Sequence, residues 1–404
     1  MAHEKEFQLY KYLMSNGANA TAVLGGSATP YLSLKELVSL STDQEATKAA
    51  FNFSDMTLSL APAQGGLELR KTIADIYDHS KSNVEAGNIV TANAATGANH
   101  IVHRSLLKPG DHVICQYPIY GPLLDEPKDI GCEVSCLRLD PANNWSLDLD
   151  QLNSLIKPGR TKMLILNNPN NPTGTHLSTE VQREVIKIAK QHDLIIHSDE
   201  IFRPLFYTEE TPTSLIEHAD LGYDKVVTTS SLSKAYGLSG VRVGWITTRS
   251  NALLDEFMHY RMWSCESLSL IDEAIATEVL SPRCRPGILQ KHFSIAKTNL
   301  DKIQSFIDKH GEQCEWVRPT SGAVGFVKFK DHKSGKPVDD VEFCKRLVES
   351  KKLVLAPASS CFDLGDRKGE FGGRTRVHFA TKTETVERGL ALLGEFLDEE
   401  KGRQ

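Results

Sequence analysis

Ser231-Leu232-Ser233-Lys234-Ala235-Tyr236-Gly237-Leu238-Ser239-Gly240-Val241-Arg242-Val243-Gly244-Trp245 sets one lysine between two serines and a glycine-containing turn, with an arginine eight residues further on. The strand-like apolar run 226–230 leads into it. A lysine held there can form a Schiff base with an aldehyde. Ser231 and Ser233 offer hydroxyls, and Arg242 a guanidinium suited to two-pronged contact, so an anion can be held beside the lysine.

Two more apolar runs end in polar clusters. Residues 163–166 lead into Asn167-Asn168-Pro169-Asn170-Asn171-Pro172-Thr173-Gly174, and 194–197 into Ser198-Asp199-Glu200. Short apolar runs at 89–91, 112–116, 133–137, 163–166, 194–197, 226–229 and 243–247 alternate with amphipathic stretches at 66–79, 98–107 and 179–192. That alternation predicts an α/β fold, a mainly parallel sheet between helices. The three polar clusters then meet at the carboxyl edge of the strands, where open α/β sheets bind ligands. After residue 268 the pattern changes to helices at 268–280 and 288–310, a hairpin within 315–330, a helix at 338–350, a strand at 376–380 and a closing helix at 385–399. The expected organisation is a large domain over 46–275 and a smaller α+β domain built from both chain ends, 1–45 and 276–404.

Asp199 follows two isoleucines, so its carboxylate is expected at the bottom of a poorly solvated pocket. A buried acid needs a cationic partner. Alone it would read as a helix cap or a surface aspartate. Beside an imine-forming lysine and an anion site, a protonated pyridine nitrogen supplies the partner, and pyridoxal 5'-phosphate (PLP) combines all three features. Asn171 lies in a proline-rich turn that can be neither helix nor central strand, which can aim its amide at the cofactor's ring oxygen. Thr96-Gly97-Ala98-Asn99 follows a strand and is expected to open a helix, whose backbone N–H groups favour a phosphate.

The 404 residues are 40% hydrophobic and 24% charged, an ordinary globular composition with room for two cores. A net charge of −6 and the lack of a lysine/arginine block argue against nucleic acid. No apolar run approaches the ~20 residues of a membrane span. Residues 1–15 lack the apolar stretch of a signal peptide. The eight cysteines are scattered, which fits free thiols in a reducing cytoplasm better than disulfides. Cys132 and Cys136 have no matching Cys/His pair, so no metal site is expected.

The lysine stretch and the Asn-Pro-rich turn closely resemble motifs of the class I/II aminotransferases, PLP-dependent enzymes of fold type I similar to aspartate aminotransferase. The resemblance runs from about Gly25 to the C-terminal helix. It implies that Lys234 bears the cofactor and carries the proton between the substrate's α-carbon and the cofactor. It also implies that Tyr120, in Tyr117-Pro118-Ile119-Tyr120-Gly121-Pro122, stacks on the ring. Arg376, in Arg374-Thr375-Arg376-Val377-His378-Phe379-Ala380, would clamp the substrate carboxylate, with Arg374 as its rival. Leu24-Gly25-Gly26-Ser27 resembles the glycine segment that closes over substrate, so Gly26 joins the substrate-binding set with Asn171 and Arg376. Residues 260–265 correspond to the pocket entrance. A homodimer, an amino-acid substrate and a keto-acid partner are further implications.

Two positions depart from the family. Phe202 stands where relatives commonly have a tyrosine that donates to the ring oxygen, and Leu60 where many have a tyrosine that reaches the neighbour's phosphate. Without the first donor, the ring oxygen should be more basic and the Schiff-base proton held more tightly. The expected function is conversion of an α-amino acid to its keto acid. The alternative is another PLP enzyme using the same residues: a carbon–sulfur or γ-eliminating lyase, an ACC-synthase-like enzyme, or an amino-acid cyclase or oxidase. A regulator or decayed enzyme fits less well, because Lys234, Asp199 and Arg242 are all present.

Overall fold

Seven strands form the central sheet of the computed structural model, which describes residues 6–209 and 211–402. They are β1 (Ile89–Asn93), β2 (His112–Tyr117), β3 (Glu133–Arg138), β4 (Thr161–Asn167), β5 (Ile195–Asp199), β6 (Val226–Ser231) and β7 (Val243–Thr248). Each starts and ends within two residues of the sequence expectation. The sheet order is β1-β7-β6-β5-β4-β2-β3. Only β7 runs against the rest, pairing antiparallel with both β6 and β1. Central strands such as β4 and β5 are buried along almost their whole length. Their near-continuous apolar sequences follow from helices covering both faces.

The helices that position the site are α1 (Gln8–Gly17), α2 (Ala94–Leu106), α3 (Gly121–Ile130), α4 (Thr179–His192), α5 (Asn251–Ser264), α6 (Leu270–Leu280), α7 (Arg285–Lys309), α8 (Asp340–Lys351) and α9 (Thr383–Gly402). α4 spans the expected residues. Ser178 caps its first turn by accepting from the Val181 N–H at 3.3 Å, and Asp193 ends it in a left-handed conformation.

Two helix expectations need correction. The helix expected over 66–79 stops at Ala74, and a separate turn covers His79–Ser82, because Asp78 caps a new start by accepting from the Ser80 N–H. The helix expected to open at Thr96 opens at Ala94, whose N–H bonds the Arg242 carbonyl at 2.9 Å as β1 ends. Gly97, Ala98 and Asn99 therefore lie within α2 rather than ahead of it.

A second, four-stranded antiparallel sheet has the order β10-β11-β9-β8, with β8 (Cys314–Glu315), β9 (Val324–Phe329), β10 (Ala356–Pro357) and β11 (Arg374–His378). Near it, Ala22–Val23 pairs parallel with Leu353–Val354. The His378 N–H bonds the Leu24 carbonyl at 2.7 Å, tying an N-terminal segment to this sheet. Ala22 and Leu24 share an apolar core with Ile303, Phe343, Leu353, Phe379 and Phe396, distinct from the larger core around the seven-stranded sheet. Residues 1–5 of the arm expected in the small domain lie outside the described residues.

Candidate active site

The carboxyl ends of β4, β5 and β6 bring Asn167, Asp199 and Ser231 to one edge, with Asn167 opposite Asp199 and Asp199 opposite Thr229 in the register. Side chains alternate along a strand, so His197 and Asp199 share one face of β5. α2 packs on that face. The Asn99 amide donates to Asp199 Oδ2 at 2.8 Å, and the Ile201 N–H donates to Oδ1 at 3.0 Å. Burial raises the Asp199 carboxyl to about 6 even with these neutral donors. It is an acid in want of a positive charge.

Lys234 follows β6 in a turn closed by bonds from the Gly237 N–H to the Lys234 carbonyl and from the Leu238 N–H to the Leu232 carbonyl. Gly237 has φ +70° and lies against Pro30 and His292, so a side chain there meets both strain and steric clash. Lys234 Nζ donates to Ser27 Oγ at 2.9 Å, and its carbonyl accepts from Thr29 Oγ1. Burial lowers the lysine to about 8. Arg376 and Arg242 push the same way and Asp199 opposes them.

Arg242 has φ +56° and faces Ala94, which has φ +55°. Two non-glycine residues in the left-handed region, joined by a hydrogen bond, store strain of the kind that collects at functional sites. The exposed Arg242 guanidinium donates to the Ser239 carbonyl at 2.9 Å. Ser231 and Ser233 are buried beside it, the Ser233 N–H donating to Ser231 Oγ at 3.1 Å.

β11 contributes Arg376, which is 1% exposed. It donates to Asn171 Oδ1 at 3.1 Å and to the Gly25 carbonyl, while its Nε has no partner among the described residues. Burial lowers it to about 10. Its rival Arg374 lies over the Trp145 ring at 5.1 Å and serves packing there. Gly26 lies against the His378 imidazole. Tyr120, at the start of α3, packs edge-on against Phe7. Burial raises its hydroxyl, the Asp199 charge adds to that, and a hydrogen bond with Thr96 opposes it. Phe202 is buried against Gly322 and packs into the second core, whereas Leu60 is 75% exposed.

Lys234, Asp199, Asn171, Arg376 and Tyr120 thus come together with Arg242 at one edge of the sheet. Sequence reasoning quoted Ser27 without a role and overlooked Thr229, His103 and His197, which lie behind Asp199. Alternation along β5 pairs His197 with Asp199, and four-residue spacing on α2 pairs His103 with Asn99. Those two periods were the available signal.

Residues 31–393 match the sequence model of the family described as aminotransferase class I and II. The chain belongs to the class I and II aminotransferases. It is 27% identical to the aspartate aminotransferase of Thermotoga maritima over 336 residues, 83% of this chain and 82% of that one. It is 25% identical to the capreomycidine synthase of Streptomyces vinaceus over 336 residues, covering 83% and 80% of the two chains. A PLP-dependent aminotransferase from Streptococcus suis superposes with a TM-score of 0.87 at 30% identity, covering 98% of both chains. PLP is the cofactor of this enzyme family, and the residues present fit it. A buried carboxylate hydrogen-bonded by neutral donors suits a pyridinium, a lysine with a lowered pKa suits an aldehyde, and Arg376 Nε, without a partner among the described residues, has donor capacity to spare.

Proposed function

We propose that this chain is an aminotransferase that converts an α-amino acid to its keto acid and returns the amino group to a second keto acid. The meeting of Lys234, Asp199, Asn171 and Arg376 at one buried edge carries this reading. In it, Lys234 bears PLP, Asp199 faces the ring nitrogen, Asn171 the ring oxygen and Tyr120 the ring face. Phe202 borders the ring without donating to it. Ser231, Ser233, Arg242 and the Gly97-Ala98-Asn99 segment form the phosphate side. When bound, PLP supplies an electron sink for the substrate's α-carbon.

The chain's own residues then handle binding and proton movement. Arg376 gives its donors to the substrate carboxylate in place of Asn171 Oδ1 and the Gly25 carbonyl, with Gly26 leaving room. Lys234, freed by the substrate amine, takes the α-proton on Nζ and gives it back on the cofactor side. A lysine near 8 is partly neutral at physiological pH and can act as a base. Ser27 Oγ holds Nζ while it waits. Arg376→Ala should raise KM for the amino acid about a hundredfold with cofactor still bound. Loss of cofactor at unchanged KM would remove Arg376 from this role.

We further propose a homodimer in a reducing cytoplasm. Exposed Leu58, Leu60, Met262 and Trp263 support a buried partner surface, and the eight unpaired cysteines support the compartment. A lyase, cyclase or oxidase reading is the second one. It is favoured by the similarity to a synthase and by Phe202, which offers the ring no hydroxyl. Release of a keto acid with ammonia, or of a cyclic product, when no keto-acid acceptor has been added would select it.

A further inference from the structure

Behind Asp199, away from Lys234, lies a run of buried polar side chains that the proposed proton movement does not use. Asn99 and His103 stand one turn apart on α2, His197 and Asp199 share a face of β5, and Thr229 lies beside Asp199 on β6. His103 and His197 are fully buried.

The donor at each link can be worked out from Asp199 outward. A carboxylate only accepts, so Asn99 must present Nδ2 to it, at 2.8 Å. Asn99 Oδ1 then accepts from the Thr229 hydroxyl at 2.6 Å. That hydroxyl has one proton, so its oxygen must accept from His197 Nε2, at 3.2 Å. Burial holds His197 well below the ordinary imidazole range, so the ring is neutral and its Nδ1 bears a lone pair. His103 Nε2 donates to that lone pair at 3.1 Å. The other nitrogen of His103, Nδ1, faces Glu126 Oε2 on α3 at 3.0 Å. Burial would raise the Glu126 carboxyl, but hydrogen bonds from His100 and His103 outweigh it and keep the group ionised. His103 thus has an acceptor at each nitrogen, which calls for two ring protons.

The other charged groups around His103 are consistent with this. His100 and Arg104, on its own helix, both bond Glu126, and Arg104 also pairs with Asp129 at 2.6 Å. From the sheet it meets His197, with Asp199 beyond. Buried polar groups are costly unless every member is satisfied. Here each link from Glu126 to Asp199 has its partner, and every donor from His103 Nε2 onward points toward Asp199, while His103 Nδ1 donates the other way to Glu126.

We propose that His103, anchored by Glu126, starts a hydrogen-bond chain that runs one way through His197 and Thr229, orients Asn99 and holds the Asp199 carboxylate ionised, making the two histidines positioning residues for the reaction. The proposal rests on the reading that Asp199 faces the PLP ring nitrogen.

Holoenzyme loaded with PLP labelled with nitrogen-15 in the ring tests it. Thr229→Val keeps the shape and removes the hydroxyl, and Glu126→Gln keeps the shape and removes the charge. Both should move the ring-nitrogen signal toward the unprotonated form. Both should also lower kcat on the order of tenfold, as loss of an outer partner of a catalytic group does, with KM changed less than twofold. Wild-type ring signals in both variants would overturn the chain. Asp199→Asn separates the two layers of the argument. If it shifts the ring signal and the other two variants do not, the chain alone fails. If it also leaves the signal unchanged, Asp199 does not face the ring nitrogen, and the chain's role falls with that reading. Wild-type holoenzyme labelled at histidine nitrogens gives a check free of folding effects. His103 should be protonated at both nitrogens and His197 at Nε2 only, and a neutral His103 would overturn the proposal.

Discussion

Lys234 and Asp199 are moved by burial toward their neutral forms, the lysine down to about 8 and the aspartate up to about 6. The lysine shift has a direct kinetic consequence. Only the neutral amine attacks an aldehyde, and an unperturbed lysine near 10.5 would be almost wholly protonated at pH 8. Capture of PLP by the cofactor-free protein should rise with pH and reach half its maximum rate near pH 8, followed by growth of the visible absorbance. A midpoint near 10 would show that the amine is not desolvated in this way. Most of these side chains were legible one by one. Lys234, Asp199, Asn171 and Arg242 sit in motifs whose chemistry is local in sequence. Ser27 was not, because its role depends on the N-terminal segment crossing more than two hundred residues of chain to meet Lys234. Thr229 looked like one more strand residue until the register set it beside Asp199.

The junction between β1 and α2 shows how elements, rather than single side chains, position Arg242. The Ala94 N–H bonds the Arg242 carbonyl, and Gly244 on β7 lies directly against the Ala94 backbone. A Cβ at Gly244 would come within 2.4 Å of the Ala94 carbonyl carbon. Gly244→Ala should therefore force β7 away from the start of α2 and carry Arg242 with it. The expected loss is about 1–3 kcal/mol of stability, seen as a lower melting temperature, together with weaker PLP binding. An unchanged melting temperature and affinity would mean that the junction yields freely. The strands were readable because buried parallel strands are apolar along their length and bounded by polar turns. The start of α2 was not readable, since the Asn93 side chain at the N-cap position makes no capping bond and the helix begins on a backbone bond to a residue far along the chain.

For the molecule as a whole, the buried apolar side chains form two cores, and residues near both ends of the chain contribute to the second. The change of pattern after residue 268 coincides with the long helices and short antiparallel strands that follow the central sheet. The tie between Leu24 and His378 was beyond any local pattern, because it is a contact between segments that share no motif. The exposed Leu58, Leu60 and Trp263 lead us to expect sedimentation at twice the mass of the chain, and a monomer at working concentration would remove the proposed partner surface. Fold and cofactor leave the reaction itself to be measured, and a single turnover does so most directly. Holoenzyme is mixed with one amino acid at a time, without a keto acid, and the visible absorbance is followed. An aminotransferase loses that absorbance and regains it only when a keto acid is added, and the amino acid that removes it is the donor. Absorbance that recovers unaided, with ammonia or a cyclic product released, would contradict transamination.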